Sequence, residues 1–435
     1  MLQEVAERRK ALMNMMGHGA MAIVPAAEQL LRNRDTEFRY RQDSDFFYLS
    51  GFAEPESVLC LIPGRPEGEY VLFCRPRDRE MEIWNGYRAG LAGAVECYGA
   101  DQAFLVTELD ERLPELMAQC DRLYYALGQR PLFDRRVIGW LNTLRSRSRS
   151  GARAPVELLM LEHYLHDLRL FKSPEELKRM RRAAAISVKA HERVMRYCRP
   201  GMYEYELEAE LMHEFLRSGC QAPAYNSIVG GGERGCILHY VENRHQLQEG
   251  ELVLVDAGAE FECYAADITR TFPVGRRFTG EQRALYEIVL QAQLEAIAGV
   301  LPDRHWNDPH DRAVKVITQG LLEVGLLSGT LDGLLEQQAY KPFFMHRTGH
   351  WLGMDVHDVG DYRVDQVWRV LEPGMVLTVE PGLYIAADAP VDARWRGIGI
   401  RIEDDVLVLR SGHEVLTQGA PKQIADIEAL RQEGA

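Results

Sequence analysis

Residues 4–16 place apolar and charged side chains at a helical period, which predicts an amphipathic helix. From about residue 20 to 75 the pattern changes to short apolar runs cut by turn residues. "GAMAIVP", "FFYLSGF" and "SVLCLIPGRPEGEYVLF" are rich in β-branched and aromatic positions and predict strands. Helical spacing returns over 109–119, 131–145 and 156–166, with "DRLYYAL" as a strand among them. Strands alternating with helices predict an α/β domain. "RSRSRSGARAP", 145–155, is polar, basic and punctuated by Gly and Pro, and in an acidic chain it reads as a solvated surface loop and not a nucleic-acid patch.

After this loop the pattern lengthens. Ser173 suits an N-cap, Pro174 the first helical turn, and Glu176 stands three residues after the cap, so a capping box opens a long helix. That helix ends near Pro200-Gly201, and a second begins at about Tyr203. "VGGGERG" lacks the Lys-Ser/Thr ending of a phosphate loop and reads as a flexible turn. A β-hairpin over 253–272 follows, then helices over 280–300 and 309–325, then strands. The boundary falls just before Lys172, which gives two domains, 1–171 and 172–435.

Composition narrows the function classes. The 435 residues exceed one ordinary core, and 46% are hydrophobic. With 65 acidic against 51 basic residues the net charge is −14, which argues against nucleic acid as a partner. No stretch approaches the roughly 18 apolar residues of a membrane span. The first 25 residues lack the apolar core and cleavage site of a secretory signal. Cysteines 60, 74, 97, 120, 198, 220, 236 and 263 form no CxxC pair and several sit in apolar runs. They read as free thiols of a reducing cytoplasm.

Chemistry enters with the hairpin, "VLVDAGAEFECYAADITRTF". A turn centred between Phe261 and Glu262 sets Asp256 and Asp267 directly opposite on one face. Like charges so placed repel, and a shared proton, an arginine or a cation must compensate. Three further stretches carry candidates: His346, His350 and His357 in "FFMHRTGHWLGMDVHDVG", Glu380 in "LEPGMVLTVEPGLYI", and Arg401 with Glu403 in "GIGIRIEDDVLVL". Singly, each has a structural explanation, including a solvated face for Glu403, Asp404 and Asp405. Together, Asp256, Asp267, Glu380 and Glu403 are four carboxylates in apolar strands, where unpaired charge is expensive. With one histidine, His350, they make a ligand set for divalent Mn, Fe, Co or Zn, and carboxylate bridging suits two ions. Such a pair holds a hydroxide and polarises a carbonyl, the chemistry of hydrolytic aminopeptidases.

These motifs, with "YRQDSDFFYLSGFAEPE" (40–56) and "RLFKSPEE" (169–176), resemble the pita-bread metallopeptidases, most closely the bacterial aminopeptidase P group. The resemblance covers most of the chain. It implies an α/β two-domain protein: an N-terminal α/β creatinase-type domain and a C-terminal pita-bread α+β metallopeptidase domain. Carried over by position, it implies Asp256 on one metal, Asp267 and Glu403 bridging both, and His350 and Glu380 on the other. It implies His239 and His357 as outer histidines of the substrate site, His346 near the proline side, Arg401 orienting an acidic ligand, and Tyr384 as a weaker supporting residue. Trp84 resembles a tryptophan that family oligomers supply to a neighbouring subunit. Arg347 in "HRTGH" departs from the pattern, where relatives carry a small or apolar residue. An added cation there bears on substrate preference or on the charge around the metals.

The implied reaction cuts between any N-terminal residue and a penultimate proline. A hydroxide bridging two divalent metals attacks, Glu380 carries the proton, and His239 or His357 helps stabilise the oxyanion. Mn comes first among the metals, with Co, Zn or Fe as alternatives. The partners are peptides with proline second; the assembly is a homodimer or homotetramer in the cytoplasm. A dipeptide-restricted prolidase uses the same ligands. A methionine aminopeptidase lacks so long an N-terminal domain, and a non-catalytic scaffold or a creatinase-type amidinohydrolase has no need of all five ligands.

Overall fold

Residues 2–433 are described by a computed structural model, in which the chain divides into two units, Met1–Leu168 and Arg169–Ala435. The first unit is built on β1 (Ala20–Pro25), β2 (Val58–Leu61), β3 (Tyr70–Cys74), β4 (Gln102–Leu105), β5 (Arg122–Tyr124) and β6 (Glu157–Leu159). They form one mixed sheet in the order β4-β3-β2-β1-β5-β6. β1 pairs antiparallel with β2 and parallel with β5, so helical crossovers are required, and the sheet is covered on its faces. This is why "AMAIVP" is a continuous apolar run and not an alternating one. Met21, Ile23, Phe73, Leu113, Leu123 and Trp140 pack in its core.

Two local expectations for this unit change. "DFFYLS" is a helix, α1 here (Ser44–Ser50), and not a strand. Asp43 caps it by accepting from the Phe46 N–H, and Gly51 closes it at φ 64° with its N–H on the Phe47 carbonyl. These caps outweigh the β propensity of Phe and Tyr. The helix expected over 156–166 is strand β6 followed by a helix, Glu162–Leu170. Pairing with β5, Arg122 opposite Glu157, extends Glu157–Leu159.

The second unit opens with α2 (Pro174–Tyr197), whose capping box of Ser173 and Glu176 is formed on both sides, and α3 (Glu204–Arg217). Strands β7 (Ile228–Gly231), β8 (Leu252–Asp256) and β9 (Thr269–Pro273) form a sheet in the order β9-β8-β7. β10 (Val376–Val379), β11 (Gly382–Ile385), β12 (Ile398–Arg401), β13 (Asp404–Val408) and β14 (His413–Val415) add a β10-β13-β14 sheet and a β11-β12 pair. Every one of these pairings is antiparallel. Helices α4 (Gly280–Gly299), α5 (Asp308–Glu323) and α6 (Ile424–Glu433) complete the unit. Leu211, Val253, Phe272, Tyr286, Ile317 and Leu377 belong to a single core that joins helices to strands.

"VGGGERG" is not a flexible turn. It is the end of β7 and a 3-10 helix, Gly232–Cys236. The glycines serve close approach: a Cβ on Gly399 of β12 would lie 2.2 Å from the Gly235 carbonyl carbon.

Candidate metal centre and active site

The acidic hairpin pairs two residues off the expected register. Asp256 stands opposite Thr269, and Glu260 opposite Ala265, so the turn centres between Glu262 and Cys263. Both turn residues adopt positive φ, 49° and 65°, with no glycine or asparagine to announce it. Asp256 and Asp267 are therefore not directly opposite. They still share a face, because the shift is even. The register sets Gly258 across from Asp267, and a Cβ there would meet the Ala266 carbonyl oxygen at 1.6 Å.

His350 arrives from another direction. Thr348–Leu352 runs beside β10, with Thr378 N–H on the His350 carbonyl and Glu380 N–H on the Thr348 carbonyl, both 2.9 Å. This brings His350 next to Glu380, just past the end of β10. Gly349 permits it, since a Cβ there would lie 2.0 Å from the Thr378 carbonyl oxygen. Glu403 sits at the bend between β12 and β13, its N–H bonded to the Thr269 carbonyl at 3.1 Å.

The five side chains meet through a chain of contacts. His350 Nε2 is 3.4 Å from Asp267 Oδ2 and 3.8 Å from Glu380 Oε1. Tyr225 Oη lies 2.5 Å from Asp256 Oδ1 and also touches Asp267 Oδ1. Thr269 Oγ1 donates to Glu403 Oε2 at 2.6 Å and accepts from Arg401 Nε at 3.0 Å. Arg401 donates from Nη2 to Asp256 Oδ2 at 2.5 Å and from Nη1 to Tyr384 Oη at 3.1 Å. Tyr384 Oη is in turn 2.8 Å from His346 Nε2. His350 Nδ1 points to the Trp351 carbonyl at 2.9 Å, which fixes the ring and leaves Nε2 facing the acids.

Charge in this cluster is unbalanced. Asp256, Asp267, Glu380 and Glu403 face one guanidinium and one imidazole. Burial raises Glu403 well above the usual carboxylate range, and the nearby Asp267 and Glu380 add to it. Burial lifts Glu380 to about 7 against the pull of His350 and Arg401, and lifts Asp256 despite Arg401. Burial acts on Asp267 in the same sense, but the His350 contact outweighs it and holds this carboxyl below its usual range. His350 resists the desolvation of its cation and is raised to about 9 by Asp267 and Glu380. These opposed shifts mark a cluster short of positive charge. One potential ligand atom each from Asp267, His350 and Glu403 lies within 4.8 Å of the other two. That is close to the roughly 4 Å between donors on opposite sides of an ion with bonds near 2.1 Å. The donor set and its surplus negative charge fit divalent metal.

Asp256, Asp267 and Glu380 line a cavity of about 400 Å³ that also receives His239, His346 and His357. His239 and His357 are exposed, and the His357 ring stands edge-on to His350 with centroids 4.4 Å apart. Burial and Arg401 push His346 down to about 4. Trp84 lies in the first unit, 83% exposed. Asp404 and Asp405 are fully buried, against Arg270 and the Asp267 N–H respectively, so the acidic triplet is not a solvated face. Sequence reasoning missed Tyr225 and Thr269. Thr269 was findable, two residues beyond Asp267 on one strand face. Tyr225, in the irregular "QAPAYNS", carries no periodic signal.

Comparison with known proteins finds relatives over nearly the whole chain. The profile of metallopeptidase family M24 matches residues 178–410, and that of the aminopeptidase P N-terminal domain matches residues 5–124. The Xaa-Pro aminopeptidase of Escherichia coli is 48% identical over 98% of this chain and 97% of its own length. Human Xaa-Pro aminopeptidase 3 is 34% identical over 98% of this chain and 85% of its own length. Among solved structures, an aminopeptidase from Pseudomonas aeruginosa superposes with a TM-score of 0.99 at 57% identity, covering 100% of this chain and 98% of that one. Zinc-substituted aminopeptidase P from E. coli in complex with product gives 0.98 at 47% identity, covering 100% and 99%. The chain belongs to metallopeptidase family M24 and carries an aminopeptidase P N-terminal domain.

Proposed function

We infer that this protein is a metal-dependent aminopeptidase that releases the N-terminal residue from peptides with proline in second position. The observation that carries the reading is the convergence of Asp256, Asp267, His350 and Glu380 on one cavity, with Glu403 beside Asp267 and His350 behind it, and with more negative charge than Arg401 and His350 offset. We assign these five as the residues that would hold divalent metal, two ions in this reading. Mn is the first choice, with Co, Zn or Fe as alternatives. Bound there, divalent metal supplies Lewis acidity toward the scissile carbonyl and makes water nucleophilic near neutral pH.

The protein's own groups do the rest. Glu380, at the open end of β10, takes a proton from the attacking water and delivers it to the leaving proline nitrogen. His239 and His357, at the cavity mouth, donate toward the developing oxyanion. His346, tied to Arg401 through Tyr384, lies on the proline side. Arg401, Thr269 and Tyr225 hold the acids in place. Proline is preferred because its nitrogen has no hydrogen, and a site with no acceptor for an N–H favours it.

We place the protein in the cytoplasm, where a reducing compartment suits eight cysteines that form no disulfide among the described residues. No helix among the described residues is long and apolar enough to cross a membrane. Homodimer or homotetramer formation is supported by Ile83, Trp84 and Tyr87, exposed at 77%, 83% and 91% on one short stretch. The test is hydrolysis of Xaa-Pro-Yaa, Xaa-Pro and Xaa-Ala-Yaa peptides by the metal-loaded protein. Cleavage of Xaa-Pro-Yaa far above the other two is expected. Turnover of the dipeptide alone points to a prolidase and overturns the reading.

A further inference from the structure

Arg347 lines the same cavity as His346, Glu380 and Arg401, but on its exposed rim. Its guanidinium carbon is 5.0 Å from the Trp368 ring centroid, and that of Arg363 is 3.9 Å from the same ring. Nη2 of Arg347 donates to Asn307 Oδ1. Asp311, the carboxylate that acts on Arg347 by charge, is held by the same Asn307, whose Nδ2 donates to its Oδ2 at 2.7 Å. Among the described residues neither Arg347 nor Arg363 has an ion-pair partner, although acids outnumber bases in this chain 65 to 51.

Two guanidiniums gathered on one indole repel each other, and an acidic chain offers many ways to avoid it. Trp368 and Asn307 fix Arg347 while leaving Nη1 and Nε available. A planar fork held at the edge of a site is a carboxylate receptor. A chain running outward from the scissile bond advances roughly 3.5 Å per residue, so residues just after proline reach the rim.

We propose that Arg347, supported by Arg363 on Trp368, is a specificity-determining residue that binds a carboxylate on the leaving side of the substrate. The carboxylate is the C-terminus of a short Xaa-Pro-Yaa peptide or an acidic side chain following proline. The proposal rests on the aminopeptidase reading above and deepens it.

The experiment compares kcat/KM for Xaa-Pro-Yaa as free acid and as C-terminal amide, and for longer peptides with Glu or Gln after proline. It uses the metal-loaded wild type, Arg347→Gln, Arg347→Lys and Arg363→Gln. Wild type is expected to favour the carboxylate form of at least one pair by about tenfold or more, through KM. Arg347→Gln brings that ratio near one, Arg347→Lys keeps part of it, and Arg363→Gln lowers it less. A ratio confined to acid over amide identifies the α-carboxylate, and one seen with Glu over Gln identifies the side chain; both support the proposal. Ratios that Arg347→Gln leaves unchanged overturn it while the aminopeptidase reading stands. Failure to cleave any of these peptides before proline removes that reading, and the proposal with it.

Discussion

Arg401 and Asp256 form a buried ion pair, Nη2 to Oδ2 at 2.5 Å, inside a cluster otherwise dominated by carboxylates. The same guanidinium reaches Thr269 and Tyr384, so one side chain ties the strand bearing Asp256 to the groups around Glu403 and His346. Replacing Arg401 with Met removes all three contacts. Loss of a group that orients a ligand costs about 10–100-fold in metal affinity. Competition with a fluorescent chelator measures this directly, and an unchanged dissociation constant would show that Arg401 does not set Asp256.

Gly258 allows the hairpin to bring Asp267 into the site. A Cβ at this position would lie 1.6 Å from the Ala266 oxygen, and backbone cannot yield as a flexible side chain does. Gly258→Ala is expected to destabilise the protein by at least about 3 kcal/mol and to lower metal content with it. Urea unfolding gives the first and elemental analysis the second. A variant of wild-type stability would mean that the register described here is wrong.

His191 is fully buried, with Nε2 2.9 Å from the Ala257 carbonyl oxygen. Burial pushes its pKa from 6.5 to about 4. Between these values the unfolded chain binds a proton that the folded protein does not, so stability falls as pH drops from 6.5 toward 4 and the loss then levels off. One such group accounts for roughly 3 kcal/mol. His191→Asn removes this titration. The stability gap between wild type and variant should therefore narrow by that amount over the same interval, as read from denaturant midpoints. A constant gap contradicts the assignment.

Much of this architecture was legible from local chemistry. The Ser173–Glu176 capping box opens α2 where its spacing places it, and the apolar run of β1 reports a strand covered on both faces. The strand expected at "FFYLSG" failed because propensity was weighed above Asp43 and Gly51, the cap signals flanking it. The hairpin register failed for another reason. Glu262 and Cys263 take positive φ only because the surrounding sheet holds them there, and nothing in their side chains encodes it. The even slip kept both aspartates on one face, which preserved the site. Tyr225 was invisible because an irregular loop has no period, and its contact with two aspartates depends on tertiary closure.

Metal content of wild type and Asp267→Ala, determined by elemental analysis alongside hydrolysis of an Xaa-Pro-Yaa peptide, tests the centre most directly. Wild type is predicted to hold two equivalents of divalent metal and to cleave before proline. Asp267→Ala is predicted to hold one at most and to lose nearly all turnover. A variant with full metal content and an undiminished rate would contradict the account.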